Sequence, residues 1–258
     1  MIPAYCINLD RRSDRWEHMS SQFKNLNLVV ERVSATDGKD PEIKARFASH
    51  PASSRLSIGA LATFESHRRV WQKLIESGAS HAMIFEDDLV IAPGLAEYQK
   101  TEWIPEAADL IKLETHGTRI HVGRKPFCTI GPGRTLVPLR SYHSAAGGYI
   151  LSARLAERLL PMSRDCLEPV DDFIFNRHGR QDYAIYQMVP APVVQGASGL
   201  AQVDKGNWVQ SSLTEHWADG LKDSSDQAET QFGRVLRRFT EELRSIRLAT
   251  RYATVPWG

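Results

Sequence analysis

The sequence predicts an α/β fold in which a mainly parallel central sheet is flanked by helices, and three observations lead to this prediction. Residues 82–85 form an apolar segment without helical spacing, which is typical of a strand buried on both faces. Residues 2–38 show a strand–helix–strand pattern, whose two strands are expected to be parallel. The chain has 258 residues, 42% of them hydrophobic, which is enough to bury the core of a large α/β domain.

The first 38 residues contain the first two predicted strands. Residues 2–7 form the first strand, and Ser13 is the expected N-cap of the helix that follows it. Residues 28–33 form the second strand. No Gly-x-Gly-x-x-Gly motif follows the first strand and the chain has no Walker-type phosphate loop, so the sequence lacks the two common nucleotide-binding fingerprints.

The middle of the chain contains a long helix followed by the central strand. Residues 39–56 are charged and irregular, and we expect a surface loop there. Ser57 is the expected N-cap of a helix from residue 58 to about residue 77, which Gly78 ends. The buried strand comes next and leads directly into three carboxylates.

The second half of the chain contains shorter predicted elements. They are a strand at 109–113, a hairpin at 127–139, a strand at 149–151 followed by a helix capped by Ser152, a segment that opens at 168–173, and an edge strand with prolines at 183–195. We divide the chain into a main domain, residues 1–231, and a C-terminal unit, residues 232–258.

The C-terminal unit is predicted to contain a basic amphipathic helix over residues 232–251. Its apolar residues fall on one helical stripe, and the other positions carry six arginines against Glu241 and Glu242. Such a helix either packs on the main domain or lies on an anionic membrane surface, and the sequence leaves both alternatives open.

The bulk composition limits the partners and the compartment. The chain has 32 Lys and Arg against 31 Asp and Glu, a net charge of +1 that does not favour nucleic acid as a partner. Its three cysteines lie far apart, which fits a reducing compartment. Because the N-terminus lacks the pattern of a signal peptide, we expect a cytoplasmic protein, with peripheral contact to the inner face of the membrane if the C-terminal helix docks there.

The three carboxylates after the central strand, Glu86, Asp87 and Asp88, predict a metal site. They repel one another unless a positive charge lies among them, and oxygen ligands of this kind suit Mn²⁺ or Mg²⁺. Residues two apart on extended backbone face the same side, so we expect Glu86 and Asp88 to hold the cation while Asp87 turns away. The alternative is an acidic turn that caps the next helix.

Six motifs, in order along about three quarters of the chain, resemble those of glycosyltransferase family 25. They are residues 7–15, 32–38, 59–67, 85–88, 148–152 and 169–173. The third motif usually reads Gly-x-x-Gly-Cys-x-x-Ser-His, and here Ala62 and Thr63 replace its second Gly and its Cys. These larger side chains are expected to narrow the space near the donor.

The resemblance implies a GT-A-type (Rossmann-like) nucleotide-sugar transferase fold for residues 1–231. It also implies a UDP-sugar donor, most often UDP-galactose, together with Mn²⁺ (or Mg²⁺) and inversion at the anomeric carbon. The expected acceptor is a cell-envelope glycan such as a lipid-linked lipooligosaccharide. Two alternatives stay open: a non-catalytic sugar-nucleotide-binding homologue and, less favoured, a metal-dependent phosphohydrolase.

Candidate residues for the donor site lie at strand ends and on the long helix. Asn8, Arg12, Ala35 and Asp37 follow the first two strands, where Arg12 would clamp phosphate and Asp37 would accept a hydrogen bond from uracil or ribose. Ser66 and His67 are candidate donor-site groups, and Asp87 would reach hydroxyls of the ribose or the sugar. The alternatives are solvated loop charges for Arg12 and Asp37 and a structural role for His67.

The candidate general base is Asp171, with Asp172 as the second choice. An inverting transfer needs a base that takes the proton of the acceptor hydroxyl. The alternative for Asp171 is a helix N-cap after Pro169. His143 and His216 are weak candidates for a third metal ligand.

Overall fold

The computed structural model describes residues 1–131, 133–164, 166–175, 182–198, 200 and 250–258. The strands are β1 (Ala4–Asn8), β2 (Glu31–Ser34), β3 (His81–Phe85), β4 (Leu89–Ile91), β5 (Leu110–Lys112), β6 (Arg119–Gly123), β7 (Cys128–Thr129), β8 (Thr135–Pro138), β9 (Gly148–Ser152), β10 (Ile185–Val189), β11 (Val193–Gln195) and β12 (Thr250–Thr254). The α-helices are α1 (Ser13–Asn25), α2 (Pro41–Ala48), α3 (Ile58–Glu76), α4 (Ala153–Met162) and α5 (Val170–Phe175), and 3₁₀-helices span Pro51–Ser54 and Leu95–Tyr98.

Eight strands form the central sheet in the order β2-β1-β3-β9-β5-β10-β8-β7. Strand β9 runs antiparallel to β3 and β5, and β8 runs antiparallel to β10 and β7. Because β1 is parallel to β2 and β3, and β10 is parallel to β5, the other six strands all point the same way. The prediction of an α/β fold with a mainly parallel sheet is therefore confirmed.

Helices cover both faces of this sheet, which explains why its central strands read as continuous apolar runs. In β1, Tyr5 and Ile7 face a cluster that includes residues of α3, α4 and α5, whereas Ala4 and Cys6 face a cluster that includes residues of α1. All five residues of β1 are buried. A strand with two buried faces cannot show the polar alternation of a one-sided sheet.

Two predicted helix starts are confirmed and one is wrong by a residue. The Ser57 side chain accepts a hydrogen bond from the Ala60 amide, and the Ser152 side chain accepts one from the Leu155 amide. Helix α1 instead begins with Ser13 as its first residue, because Arg12 occupies the N-cap position without a side-chain cap bond.

The predicted loop at residues 39–56 is wrong, since it contains α2 and a 3₁₀-helix. The Asp40 side chain caps α2 by accepting hydrogen bonds from the Glu42 and Ile43 amides, and Phe47 buries its ring beneath it. The predicted edge strand at 183–195 is wrong for residues 185–189, whereas residues 193–195 form β11, which pairs with β4 in a two-stranded sheet. Strand β10 lies inside the sheet, because the prolines of this segment follow the strand and occupy none of its ladder positions.

The C-terminal residues 250–258 form an extended segment that we call the C-terminal strap. Its strand β12 pairs antiparallel with β6, and the Val255 carbonyl accepts a hydrogen bond from Thr115 Oγ1. The predicted helix therefore does not extend through Thr250 and Arg251, while residues 232–249 lie outside the described residues. In the described part of the chain, no helix is long and apolar enough to cross a bilayer.

Candidate functional site

An open cleft of about 690 Å³, solvent at its mouth included, lies where β1, β2 and β3 end. These neighbouring strands are parallel, so the residues that follow them meet at one edge of the sheet. The predicted site residues that line the cleft are Ala35, Asp37, Ser66, His67, Glu86, Asp87 and Asp88. Ala62 and Thr63, which replace Gly and Cys of the family motif, line it as well.

Asp87 is held from both sides by buried polar groups. Arg15 Nη1 lies 2.7 Å from Asp87 Oδ1, and Asn8 Nδ2 donates to Asp87 Oδ2 at 2.7 Å. Asn8 itself is buried, and its Oδ1 accepts a hydrogen bond from Arg32 Nε at 2.8 Å. Asn8 therefore orients Asp87 and is not among the residues that line the cleft.

Asp88 carries a buried oxygen without a hydrogen-bond partner. Among the described residues its Oδ1 has no such partner, and its Oδ2 lies 3.7 Å from Arg15 Nη1. Burial and the nearby charge of Glu86 raise the pKa of Asp88 to about 7. Residues 86–88 connect β3 directly to β4, so the alternative of an acidic turn that caps a helix is wrong.

Glu86 is oriented by a chain of three buried side chains. Trp71 Nε1 donates to the Tyr149 hydroxyl at 2.9 Å, and that hydroxyl lies 2.8 Å from His67 Nδ1. Burial raises the pKa of Tyr149, so the phenol keeps its proton. The other ring nitrogen of His67, Nε2, lies 3.1 Å from Glu86 Oε1.

The carboxylates Glu86 and Asp88 fit a divalent cation on the chemistry of their oxygens. Both line the cleft, and the unpartnered Asp88 Oδ1 is the kind of atom that a cation satisfies. Within the described ranges, no three His, Cys, Asp or Glu side chains form a metal-binding group, so two carboxylates are what the described protein supplies. His143 Nδ1 bonds to Gln187 Oε1 at 3.0 Å instead, and His216 lies outside the described residues.

The arginines of the cleft differ from the one that was predicted. Arg12 does not line the cleft, because its guanidinium makes a two-pronged contact with Asp14 at 3.0 and 2.9 Å. Arg11 and Arg15 line it, and Arg11 Nε lies 2.7 Å from Asp37 Oδ2. Arg11 lies in the turn after β1 and Arg15 in the first turn of α1, and their position just after a strand that ends at the cleft is the sequence signal that could have identified them.

Ser66 has a structural contact at the wall of the cleft. Its hydroxyl donates to the Ala62 carbonyl at 2.7 Å and accepts from the Thr36 amide at 2.9 Å. These bonds attach the segment after β2 to α3. The buried Thr36 Oγ1 has no hydrogen-bond partner in the part of the chain that the structure describes, so it is a further polar atom of the cleft available to a ligand.

Asp171 and Asp172 lie on the first turn of α5 and are not among the residues that line the cleft. Asp171 Oδ2 accepts hydrogen bonds from the Tyr142 hydroxyl at 2.9 Å and from the Ala145 amide at 2.8 Å. Burial and the two carboxylates raise the pKa of Tyr142, so it remains a donor. Neither donor belongs to α5, so this oxygen does not cap the helix; it holds residues 141–147, which we call the 141–147 loop.

The 141–147 loop lies over a buried ion pair that the sequence analysis missed. Lys112 Nζ donates to the carbonyls of Ser144, at 2.8 Å, and Ala145, and lies 3.8 Å from Glu114 Oε2. Glu114 Oε2 accepts a hydrogen bond from the Gly147 amide at 2.9 Å. Both side chains are fully buried, which lowers the pKa of Lys112 and raises that of Glu114, each to about 8.

This loop is connected to the acidic triplet through the backbone. The Glu86 amide donates to the Gly147 carbonyl at 2.8 Å. The loop therefore joins Asp171, the buried pair and Glu86. A lysine inside the apolar strand 109–113 was the sequence signal that could have revealed the pair, because a buried lysine needs a partner.

The chain is similar to a known protein family and to several named proteins. The family described as "Glycosyltransferase family 25 (LPS biosynthesis protein)" matches residues 1–174, two thirds of the 258 residues. The lipooligosaccharide biosynthesis protein lic2B of Haemophilus influenzae is 25% identical over 74% of this chain and 75% of its own length. Procollagen galactosyltransferase 1 of Danio rerio is 26% identical over 70% of this chain.

The lengths of these relatives differ. The chain spans about a third of several animal relatives, 32% of the zebrafish protein and 33% of a Bos taurus relative named as a probable inactive family member, which is 25% identical. A solved structure of a glycosyltransferase involved in glycosylation of the major capsid of PBCV-1 covers 85% of the chain, at 8% identity and a TM-score of 0.44.

Proposed function

Because the chain belongs to glycosyltransferase family 25, we propose that it transfers a hexose, galactose first among the candidates, from a UDP-sugar to a glycan acceptor with inversion. The transfer depends on a divalent cation, Mn²⁺ or Mg²⁺. The observation that carries this proposal is the partner-free Asp88 Oδ1 beside Glu86, at the ends of three parallel strands.

Glu86 and Asp88 are the residues that would hold the cation. When bound, the cation supplies positive charge that stabilises the departing diphosphate. Asp87 is bound by Arg15 and Asn8, so its role is to hold Arg15 at the cleft. Glu86 and Asp88 are then the carboxylates left to bind the metal.

The cleft walls supply the remaining donor contacts. Arg11 and Arg15 offer guanidinium donors for phosphate oxygens, and planar donors of this kind suit phosphate. Asp37 and Thr36 Oγ1 offer acceptor oxygens, and Thr36 Oγ1 also offers a donor, for the ribose and the base. His67 acts through Glu86, whose carboxylate it orients.

Asp171 is the proposed base. One of its oxygens is occupied by Tyr142 and Ala145, and the side chain as a whole is half-buried, which leaves its second oxygen for the acceptor hydroxyl. The 141–147 loop is hydrogen-bonded both to this carboxylate and to the backbone of Glu86, so it fixes the position of Asp171 relative to Glu86.

The acceptor class is proposed from relatives and is independent of the donor assignment. The Haemophilus relative is named for lipooligosaccharide biosynthesis, and it is matched over three quarters of its length. We therefore place a cell-envelope glycan, lipid-linked in the cell, first among acceptors. A cytoplasmic protein in peripheral contact with the membrane would meet such an acceptor.

The test is a transfer assay with purified protein, UDP-galactose and truncated lipooligosaccharide, read by mass spectrometry of the product and by release of UDP. We expect a product whose mass rises by one hexose, formed with Mn²⁺ and abolished by EDTA. Full activity in EDTA would contradict the metal requirement. Binding of UDP-galactose without transfer to any acceptor would favour a non-catalytic homologue, and release of UDP without transfer would favour a phosphohydrolase.

A further inference from the structure

A second open groove lies on the side of α3 away from the cleft, and its lining is basic and aromatic. The two sites share the N-terminal half of this helix: Thr63 and Ser66 line the cleft, whereas Phe64 and Arg68 line the groove. The groove is bounded on its other sides by α2 and by the residues that follow α4.

Three guanidinium groups converge on this groove. Arg46, Arg68 and Arg164 line it, together with a single carboxylate, Glu65. Glu65 is shared, since it lies 3.8 Å from Arg46 Nη2 and 3.3 Å from Arg68 Nη1. Arg164 is exposed and has no carboxylate partner among the described residues. One carboxylate against three arginines leaves the described lining with an excess of positive charge.

Two of the three arginines, Arg46 and Arg68, contact neighbouring groups. Arg68 Nε donates to Ser163 Oγ at 3.0 Å, and Ser163 is buried. The Arg46 guanidinium lies 4.9 Å from the centre of the Phe47 ring. Side chains that are already ordered lose less entropy when they bind an anion, and guanidinium groups suit phosphate and carboxylate oxygens.

The groove is connected to the proposed base through one aromatic contact. Phe64 packs against Phe173 with ring centroids 5.3 Å apart, and Phe173 lies on α5 two residues after Asp171. A ligand in the groove would be separated from the cleft by the width of one helix, about 10–12 Å with side chains. A ligand that reaches both the groove and the cleft must therefore be longer than one sugar ring.

We propose that this groove is an anion-binding subsite for a phosphate or carboxylate group carried by the acceptor glycan. Binding of the anion stands on the groove alone, and its assignment to the acceptor rests on the proposed function. A fixed anion at this position would hold an extended acceptor across α3, with its reacting sugar directed toward Asp171.

Cys166 provides a local reporter, because it lines the groove and is half-buried. The rate at which iodoacetamide, a neutral reagent, alkylates Cys166 would be followed by peptide mass spectrometry, without donor or metal. The probes are inorganic phosphate and glucose 6-phosphate, with glucose and chloride at matched ionic strength as controls. Cys128 is equally half-buried, lies on β7 and is not a groove residue, so it is the internal control.

We expect both phosphates to slow alkylation of Cys166 but not of Cys128. In the double variant Arg46→Gln/Arg164→Gln, the phosphate concentration that halves the alkylation rate of Cys166 should rise by roughly fivefold or more. This factor corresponds to the loss of about 1 kcal/mol of ion pairing. Arg140→Gln, which removes an exposed charge outside the groove, should leave it unchanged. Melting temperatures of the variants would verify that each is folded.

Three outcomes would overturn the proposal: no protection by phosphate, equal slowing of Cys166 and Cys128, or full protection in the double variant. Protection by anionic phospholipid vesicles but not by glucose 6-phosphate would overturn the glycan assignment and identify a membrane contact. The alkylation experiment does not depend on sugar transfer. If the enzyme transfers sugar but phosphate does not protect Cys166, anion binding in the groove is refuted and the proposed function is not. Protection in a protein that transfers no sugar would refute the proposed function and the acceptor assignment but leave anion binding intact.

Discussion

Replacing Lys112 with Met should lower the free energy of unfolding by about 3–5 kcal/mol, the usual cost of removing one partner of a buried ion pair. Lys112 is fully buried, and its ammonium group donates to two carbonyls of the 141–147 loop. It also lies 3.8 Å from Glu114 Oε2 and 4.0 Å from the centre of the Phe175 ring. Met fills a similar volume but leaves the Ser144 and Ala145 carbonyls without the ammonium donor and removes the cation beside Glu114, whose Oε1 also lies 3.3 Å from His116 Nε2.

The second partner should matter less, and the double variant should recover part of the loss. Glu114→Gln keeps an acceptor for the Gly147 amide, and Lys112 keeps its two carbonyls, so we expect a cost of about 1–3 kcal/mol. In Lys112→Met/Glu114→Gln no charge remains buried at this position. Its cost should therefore be smaller than the sum of the single costs by at least about 1 kcal/mol.

Urea unfolding followed by circular dichroism at pH 7 would measure these values for all four proteins. A loss of 3–5 kcal/mol corresponds to a fall in melting temperature of roughly 6–20 °C in a domain of this size. If Lys112→Met costs less than 1 kcal/mol, or if the three costs are additive, the pair does not stabilise the loop as the structure indicates.

Three further predictions concern the cleft and the base. In EDTA, the free energy of unfolding should fall as pH rises from 3.8 to about 7, because the folded protein keeps a proton on Asp88 that the unfolded chain releases. Urea titrations at pH 5 and 7.5 would measure this fall, and Asp88→Asn should make it smaller. An equal fall in Asp88→Asn would contradict the raised pKa of Asp88. Tyr149→Phe breaks the link between Trp71 and His67, so Mn²⁺ affinity measured by electron paramagnetic resonance should fall about tenfold or more in a folded protein; unaltered affinity would mean that Glu86 needs no such support. Asp171→Asn should lower kcat by about 10²-fold with UDP-sugar binding retained, whereas loss of binding or early melting would transfer the base role to Asp172.

The sequence predicts which residues lie at the cleft when their position follows from the end of a strand. It does not predict this when the position depends on which way a residue near a helix start points, or on a contact with a distant part of the chain. Asp37 follows β2 and Glu86 follows β3. Both strands are parallel to β1, which lies between them, so the topology alone brings the two residues to one edge. The prediction names Arg12 and misses Arg11 and Arg15, because a strand end locates this stretch of sequence but does not show which of its arginines faces the cleft. Arg12 turns to Asp14 at the helix start, a local contact that competes with the cleft.

The buried pair was beyond the reach of sequence patterns for a related reason. Lys112 and Glu114 are close in sequence, but their burial results from the 141–147 loop, which is distant along the chain and covers them. The buried strands were the easiest part of the fold to predict, because a strand covered on both faces is marked by its own composition. The internal position of β10 required knowledge of which strands lie beside it.

The anchoring of the C-terminal strap has a consequence for engineering the chain. The Leu200 side chain lies against Gly117, and Thr250 pairs with Gly123, so the chain is fixed to two points of one short stretch before and after residues 201–249. Gly117 and Gly123 are six positions apart in the chain, which spans at most ~20 Å. A flexible linker of about ten residues is long enough to join the two anchors, and loop-closure entropy changes only slowly with length. A linker of that length would connect residue 200 to residue 250 with β12 still paired to β6.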